Sequence, residues 1–257
     1  MLDLAPIDLA WTRINEIGMR STNQDTIGEA FHDQLACFVL ADGAGGHEGG
    51  EIASRLVVES ILNCFRHDPR FGPDALLGYA ACASADVAKH KLKEPRCADM
   101  STTVAALLIE RSGAQALWAH LGDSRVYLFR DAKLHAISKD HSLTQQLIDA
   151  GYARAEQLRV HPQRNILYAA IGAEGDTQIE LSAGVTSLLP GDALLLCSDG
   201  LWEWVMEADM ERTLAQHGSA EAWLAAMCRL ADDNIKNSGK MRDNFSAYAI
   251  LVQKVPA

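Results

Sequence analysis

The sequence predicts an α+β fold of antiparallel sheets with helix pairs packed outside them. Three observations carry that expectation. Strand-like segments at 102–110, 114–121, 124–130 and 133–137 follow one another with gaps too short for crossover helices, so they are expected to pair antiparallel as a meander, not as a doubly wound parallel sheet. Segments of helical period come in pairs, at 51–92 and 207–237, on either side of that strand-rich middle. The chain of 257 residues is 48% hydrophobic and 22% charged, enough for one domain over 1–257 that buries roughly 70% of the surface of its unfolded chain.

Two-residue alternation or a short apolar run marks each strand in turn: DLAWTRINEIG, QLACFVLAD, TTVAALLIE, AQALWAHLG, SRVYLFRD, TQIELSAGV, DALLLCSD and FSAYAILVQK. Helical period appears at 51–65, 73–92, 142–151, 207–217 and 219–237. Pro73 and Ser219 suit helix starts, and Gly151 and Gly218 suit stops. Residues 152–173 lack clean periodicity and contain Pro162, so they read as an irregular excursion, and 140–173 as a candidate flap. No internal repeat is visible.

Charge and cysteine content exclude several classes. The balance of 23 basic against 34 acidic residues, a net charge of −11, disfavours nucleic acid or anionic membrane as a partner, because phosphate backbones are held by clustered Lys and Arg. No window approaches the ~18 consecutive apolar residues of a spanning helix. Asp3 and Asp8 stand where a signal peptide would be basic and then apolar. Cys37, Cys64, Cys82, Cys97, Cys197 and Cys228 form no CxxC pair, the usage of a reducing compartment. The expectation is a soluble, cytoplasmic protein.

Five aspartates share one local grammar. Asp42 and Asp199 each end an apolar strand before a glycine, Asp123 sits in LGDSR, Asp25 follows Asn23-Gln24, and Asp243 precedes Asn244 and the last strand. Gathering such half-desolvated carboxylates is costly, since like charges in a small site cannot all stay ionised. Divalent cations remove that cost, and oxygen-only ligand sets favour Mg²⁺ or Mn²⁺ over zinc. Any single Asp-Gly is equally well a turn. Two near-identical strand-Asp-Gly units 157 positions apart, with GDSR and RDN beside them, make independent turns a poor account.

RSTNQD (20–25), ADGAGG (41–46), STT (101–103), LGDSRVY (121–127), DHS (140–142), HPQRNILYAAIG (161–172), SDGLWEWV (198–205) and RDNFSAYAILV (242–252) together resemble the ordered motif set of the bacterial PP2C-type (PPM) metal-dependent protein serine/threonine phosphatases. The resemblance implies an αββα sandwich. It implies that Asp42 bridges two Mn²⁺ or Mg²⁺ ions, with the Gly43 carbonyl helping to hold one and Asp199 and Asp243 holding the other. Asp25 would act at that centre largely through water, Asp123 with Asp199 would serve a third, weaker metal site, and Arg20 would hold the substrate phosphate. Segment 140–173 would be the flap beside the active site.

The activity so implied is hydrolysis of phosphoserine and phosphothreonine in proteins by water activated between two ions. Arg20 would grip two phosphate oxygens with its planar guanidinium, or form a surface salt bridge. Phosphoprotein substrates of a cognate serine/threonine kinase are the partners implied, and some relatives serve secretion systems such as type VI. Two alternatives stay open: a catalytically silent phosphoprotein-binding module of the same fold, and a phosphatase of small molecules or of an anti-sigma-type regulator. Intact Asp42, Asp199 and Asp243 favour the enzyme.

The chain departs from the family pattern at two places. Gln24 stands where many relatives have Glu, which removes a water-mediated metal contact, and Ala44 replaces a histidine proposed to protonate the leaving alkoxide in animal relatives. His47 is a poor substitute and reads as a loop histidine; water at the metal centre can supply that proton. GAGGHEGG (43–50) mimics a phosphate cradle, but Glu48 occupies the third glycine position and no Gly-Lys-Ser/Thr follows. It reads as a tight turn exposing the Gly43 carbonyl. Trp202 and Trp204 read as core, His120 as a satisfied semi-buried histidine, and His161 as positioning the flap.

Overall fold

The computed structural model describes residues 5–44, 49–174 and 178–255. The chain order is β1 (Ile7–Glu16), β2 (Asp25–His32), β3 (Leu35–Ala44), α1 (Gly50–His67), α2 (Pro73–Lys93), β4 (Ser101–Thr102), β5 (Val104–Glu110), β6 (Gln115–Leu121), β7 (Arg125–Arg130) and β8 (Lys133–Ile137). Then follow α3 (Leu143–Asp149), β9 (Glu180–Leu181), β10 (Thr186–Ser187), β11 (Ala193–Cys197), α4 (Asp199–Trp202), α5 (Glu207–Gln216), α6 (Ala220–Ser238) and β12 (Phe245–Lys254).

One sheet runs β1-β12-β11-β7-β8; the other runs β10-β6-β5-β3-β2, with β4 on β3 and β9 on β6. All these pairings are antiparallel. The apolar runs show no polar alternation because both faces of the central strands are covered. On β3, Ala36 and Phe38 point between the sheets while Cys37, Val39 and Ala41 pack against α1 and α2. On β11, Leu194 and Leu196 join the inter-sheet core and Leu195 and Cys197 meet α4–α6. The result is helices, sheet, sheet, helices, as expected. Phe38 and Tyr248 fill the inter-sheet centre with partly buried Trp11 beside them, ring centroids being 5.6 and 5.3 Å apart for Trp11–Phe38 and Phe38–Tyr248; each fully buried ring contributes about 1.5–3 kcal/mol.

Helix ends follow their local chemistry. Pro73 opens α2, and Ser219 caps α6, its Oγ accepting from the Ala222 amide at 3.2 Å. Gly151 lies just past α3 with a φ of +77°.

The middle strands depart from the expected meander. β5 pairs with β6 and β7 with β8, but β6 and β7 lie in different sheets. Gly122 is the reason: at φ +99° it turns the chain from one sheet to the other, and a Cβ there would sit 2.6 Å from the Thr103 side chain. Segment 102–110 is broken at Thr103, whose amide donates to the Asp42 carbonyl at 2.8 Å. Of the expected strand TQIELSAGV only the two-residue β9 forms, and β10 follows just beyond its end.

Residues 140–173 carry α3, a 3-10 turn at Ala155–Gln157 and two isolated bridges, Ser142–Leu167 and Thr102–Ile171, that tie the segment back to the body. At its root, buried Arg125 donates to both carboxylate oxygens of buried Asp140 at 2.7 Å. No helix among the described residues is long and apolar enough to cross a membrane.

Candidate active site

The β2–β3 register sets Asp25 directly opposite Asp42, and directly opposed residues project to the same face of an antiparallel pair. Asp42 is fixed by the STT segment. Its amide donates to Thr103 Oγ1 at 2.9 Å, and its carbonyl accepts from Thr102 Oγ1 at 2.9 Å. Thr103 Oγ1 also lies 2.7 Å from Ser124 Oγ, linking Asp42 to the sheet crossing that carries Asp123.

β3 continues through Ala44 with Gly43 paired to Thr102, and the body of the turn expected over 43–50 falls at 45–48, outside the described residues. The glycine is required by close packing: a Cβ there would lie 2.2 Å from the Gly50 carbonyl at the start of α1. His47 and Glu48 lie outside the described residues.

Asp199 opens α4 directly after β11. At Gly200 a Cβ would meet the Asn244 carbonyl at 1.9 Å, so α4 begins pressed against the RDN segment and Asp199 comes beside Asp243. Arg20, in the connection after β1, pairs with Asp243 across the opening.

These residues line a cavity of about 250 Å³ that contains Arg20, Asp42, Gly43, Asp123, Asp199 and Asp243 together with Gln24, Ala44, Thr103, Asn165, Leu167 and Asn244. Asp25 alone among the expected site residues is not in its wall. It is buried behind, with Oδ2 accepting from Ser198 Oγ at 2.7 Å and Oδ1 without a partner. A larger cavity of about 560 Å³ opens among Ile137, Leu158 and Met206. Its buried charges are paired, as Arg125–Asp140 and Arg159–Glu207, whereas the smaller cavity gathers four carboxylates around Arg20.

Electrostatics there are those of four carboxylates facing one guanidinium. Burial, and then the charge of Asp25, pushes Asp42 well above the usual carboxylate range; burial and then Asp123 do the same to Asp199. Burial raises Asp25 to about 6 and, with Asp140 adding repulsion, Asp123 to about 7. A partnerless buried Asp25 oxygen beside an oxygen-only donor set fits hard divalent cations, which restore the ionised forms. Among the described residues no His or Cys lines this cavity.

Several contributors carried no sequence assignment. Asn244 braces the Arg20 loop: its Oδ1 accepts from the Gln24 amide at 2.9 Å, and its Nδ2 donates to the carbonyls of Ile17 and Thr22 at 2.8 and 3.0 Å. Its place in RDN, like that of Thr103 in STT and Ser198 in SDG, was the available signal. Asn165 reaches the cavity from the aperiodic segment 140–173, where its place in HPQRN was the available signal.

The tempting residues sort differently. Trp202 is core, its Nε1 donating to the Asp123 carbonyl at 2.8 Å under the Arg125 guanidinium. Trp204 is half-buried, and its carbonyl accepts from Asn234 Nδ2 at 2.7 Å. His161 lies outside the cavity wall, with Nδ1 accepting from the Gln163 amide at 3.2 Å. His120 departs from expectation, being fully buried with Nδ1 unpartnered.

A family model described as protein phosphatase 2C matches residues 16–245. The serine/threonine protein phosphatase PstP of Mycobacterium tuberculosis is 34% identical over 186 residues, covering 71% of this chain and 34% of that protein. The chain therefore spans about a third of the length of the mycobacterial relatives it matches. Serine/threonine phosphatase stp of Listeria innocua is 32% identical over 208 residues, covering 76% of this chain and 79% of the relative. The solved serine/threonine phosphatase of S. agalactiae superposes with a TM-score of 0.83 at 27% identity, over 96% of this chain and 100% of that one. The PstP catalytic domain in complex with two manganese ions superposes at 0.79 and 27% identity, over 96% and 99%.

Proposed function

The chain belongs to the protein phosphatase 2C family, and from that premise we propose that it is a metal-dependent phosphatase of phosphoserine and phosphothreonine in proteins. The observation that carries the reading is the convergence of Asp42, Asp123, Asp199 and Asp243 with Arg20 on one small cavity, fed by five separate chain segments.

Two Mn²⁺ or Mg²⁺ ions bound there supply Lewis acidity and an activated water at neutral pH. Asp42 would be shared between them, the Gly43 carbonyl would complete one ligand set, and Asp199 and Asp243 the other. Asp25, one oxygen held by Ser198 and the other free, orients water from behind Asp42. Asp123 with Asp199 would hold a third, weaker ion. Arg20 binds and orients the substrate phosphate once Asp243 turns to a cation, its guanidinium exchanging one carboxylate for two phosphate oxygens. Asn244 and Thr103 hold Arg20 and Asp42 in register. With Ala44 at the cavity wall, the leaving serine or threonine oxygen takes its proton from solvent in the cavity.

The substrates in this reading are phosphoproteins made by a cognate serine/threonine kinase in the cytoplasm. Six free cysteines accord with a reducing compartment. Segment 140–173 acts as a flap beside the cavity, to which it contributes Asn165 and Leu167.

Phosphate release from a phosphothreonine peptide, with and without Mn²⁺, is the test. Release that chelation abolishes and Mn²⁺ or Mg²⁺ restores is the expected result. Undiminished release in excess chelator would overturn the metal dependence, and metal-independent peptide binding without turnover would identify a silent binding module.

A further inference from the structure

Outside the acidic cavity, His120, His141 and Glu180 each bring a nitrogen or carboxylate oxygen within 4.8 Å of the others. We propose that they form a separate site for a borderline transition-metal ion of the Zn²⁺ type, held by His120 Nδ1, His141 Nε2 and the Glu180 carboxylate, with a fourth position open to water. None of the three lines the acidic cavity, and the inference does not depend on the phosphatase reading.

The backbone creates the cluster. In the β6–β9 pair, His120 stands directly opposite Glu180, so both project to one face. The His141 ring lies 4.9 Å from that of His120, placed there by a hydrogen bond that the His141 amide donates to the Gly122 carbonyl at 2.8 Å.

His120 supplies the decisive detail. Its Nε2 lies 2.8 Å from the Lys139 carbonyl, and a carbonyl only accepts, so Nε2 carries the proton and Nδ1 presents a lone pair. That Nδ1 is buried and has no partner, in a residue only 2% exposed. An orphaned acceptor of this kind is costly. The arrangement also matches metal-binding histidines, which donate their second ring nitrogen to a carbonyl and so fix the tautomer. Burial lowers the His120 pKa, which keeps the ring neutral and able to ligate.

His141 can adopt either tautomer. Nδ1 lies 3.2 Å from the Gly122 amide and 3.3 Å from the Gly122 carbonyl, while Nε2 lies 3.3 Å from Glu180 Oε2. With Nδ1 donating to the carbonyl, Nε2 turns a lone pair toward a carboxylate, two acceptors that need a cation between them. Glu180, 53% exposed in its side chain, leaves an entry path from solvent. Two imidazoles and one carboxylate suit Zn²⁺ or Co²⁺ and are a poor set for Mg²⁺. An ion here would join the end of β6, the root of the flap at His141, and β9.

Cobalt and zinc are the probes, used on the full chain carrying Asp42→Asn and Asp199→Asn in excess Mg²⁺, so that the acidic cavity is silent to both. The expected result is one equivalent of Co²⁺ with the visible absorption of a four-coordinate ion, displaced by Zn²⁺. Glu180→Gln in that background should weaken binding at least ~10-fold and His141→Asn more. Glu180 is exposed, so its variant keeps the fold even if a histidine variant does not. Absence of a cobalt spectrum, or one left unchanged by Glu180→Gln, would mean a hydrogen-bonded cluster only and overturn the proposal.

Discussion

Arg20 and Asp243, 223 residues apart in the chain, form an ion pair at the opening of the acidic cavity. Both side chains remain partly exposed, and Arg20 also feels Asp199 and Asp42. The pair sets the two proposed roles in competition, because a carboxylate engaged by Arg20 is a weaker ligand for a cation.

If Arg20 grips the phosphate equally in the bound substrate and the transition state, Arg20→Ala raises KM by about 10- to 150-fold, the equivalent of ~1.5–3 kcal/mol, with kcat little changed. Sequence reasoning alone expects metal binding to be unaffected. The ion pair changes that expectation: losing the guanidinium frees Asp243, so the Mn²⁺ concentration for half-maximal activity should fall. Arg20→Lys should restore KM only in part, because a point charge lacks the two-pronged geometry. A collapse of kcat at constant KM would assign Arg20 to charge that develops only in the transition state.

Asp42 faces Asp25 across β2–β3 and lies at the centre of the carboxylate set. As the proposed shared ligand, Asp42→Asn should cost at least ~4 kcal/mol of transition-state stabilisation, about a thousandfold in rate. Circular dichroism should be unchanged, since the Thr102 and Thr103 hydroxyls hold the backbone and not the carboxylate. Near wild-type turnover would reduce this Asp-Gly to an element of packing.

Stability of the metal-free protein should fall as pH rises. Burial lifts Asp25 to about 6 and Asp123 to about 7, against about 3.9 in an unfolded chain. The folded state therefore holds protons that the unfolded state has released, and the stability so gained disappears as pH climbs through 6 and 7. Bound Mn²⁺ removes the repulsion and expels those protons. The gain in Tm on adding Mn²⁺ should be small at pH 5 and large at pH 8; an equal gain at both would contradict the carboxylate assignment.

Two ion pairs at the start of segment 140–173 should differ sharply in worth. Arg125 and Asp140 are each 3% exposed and joined by two hydrogen bonds, so Asp140→Ala leaves a buried guanidinium short of a partner and should cost ~3–5 kcal/mol. Lys139 and Asp149 are 56% and 43% exposed, and Asp149→Ala should cost under ~1 kcal/mol. Urea midpoints of the two variants give the comparison, and equal values would show that Asp140 does not anchor the start of segment 140–173.

Much of this protein could be read along the chain because the relevant signals are local. Apolar runs such as LACFVL and ALLLC mark strands buried on both faces, helical period marks α1, α2, α5 and α6, and Ser219 and Pro73 announce helix starts through chemistry within one turn. The acidic residues could be collected because each sits at a strand end or beside a turn-forming residue, and the ordered motifs point to one family. What stayed hidden depends on groups brought together across long separations. The split of β6 and β7 between two sheets hangs on the space beside Thr103 that only Gly122 can use, and the need for Gly43 comes from the close approach of Gly50 at the start of α1. Pairing of Arg20 with Asp243, bracing of the Arg20 loop by Asn244, and the meeting of His120 with His141 and Glu180 arise from sheet register and from the docking of α4. Periodicity reports which face of an element is buried; only the closed tertiary structure decides which charges and lone pairs that burial leaves facing one another.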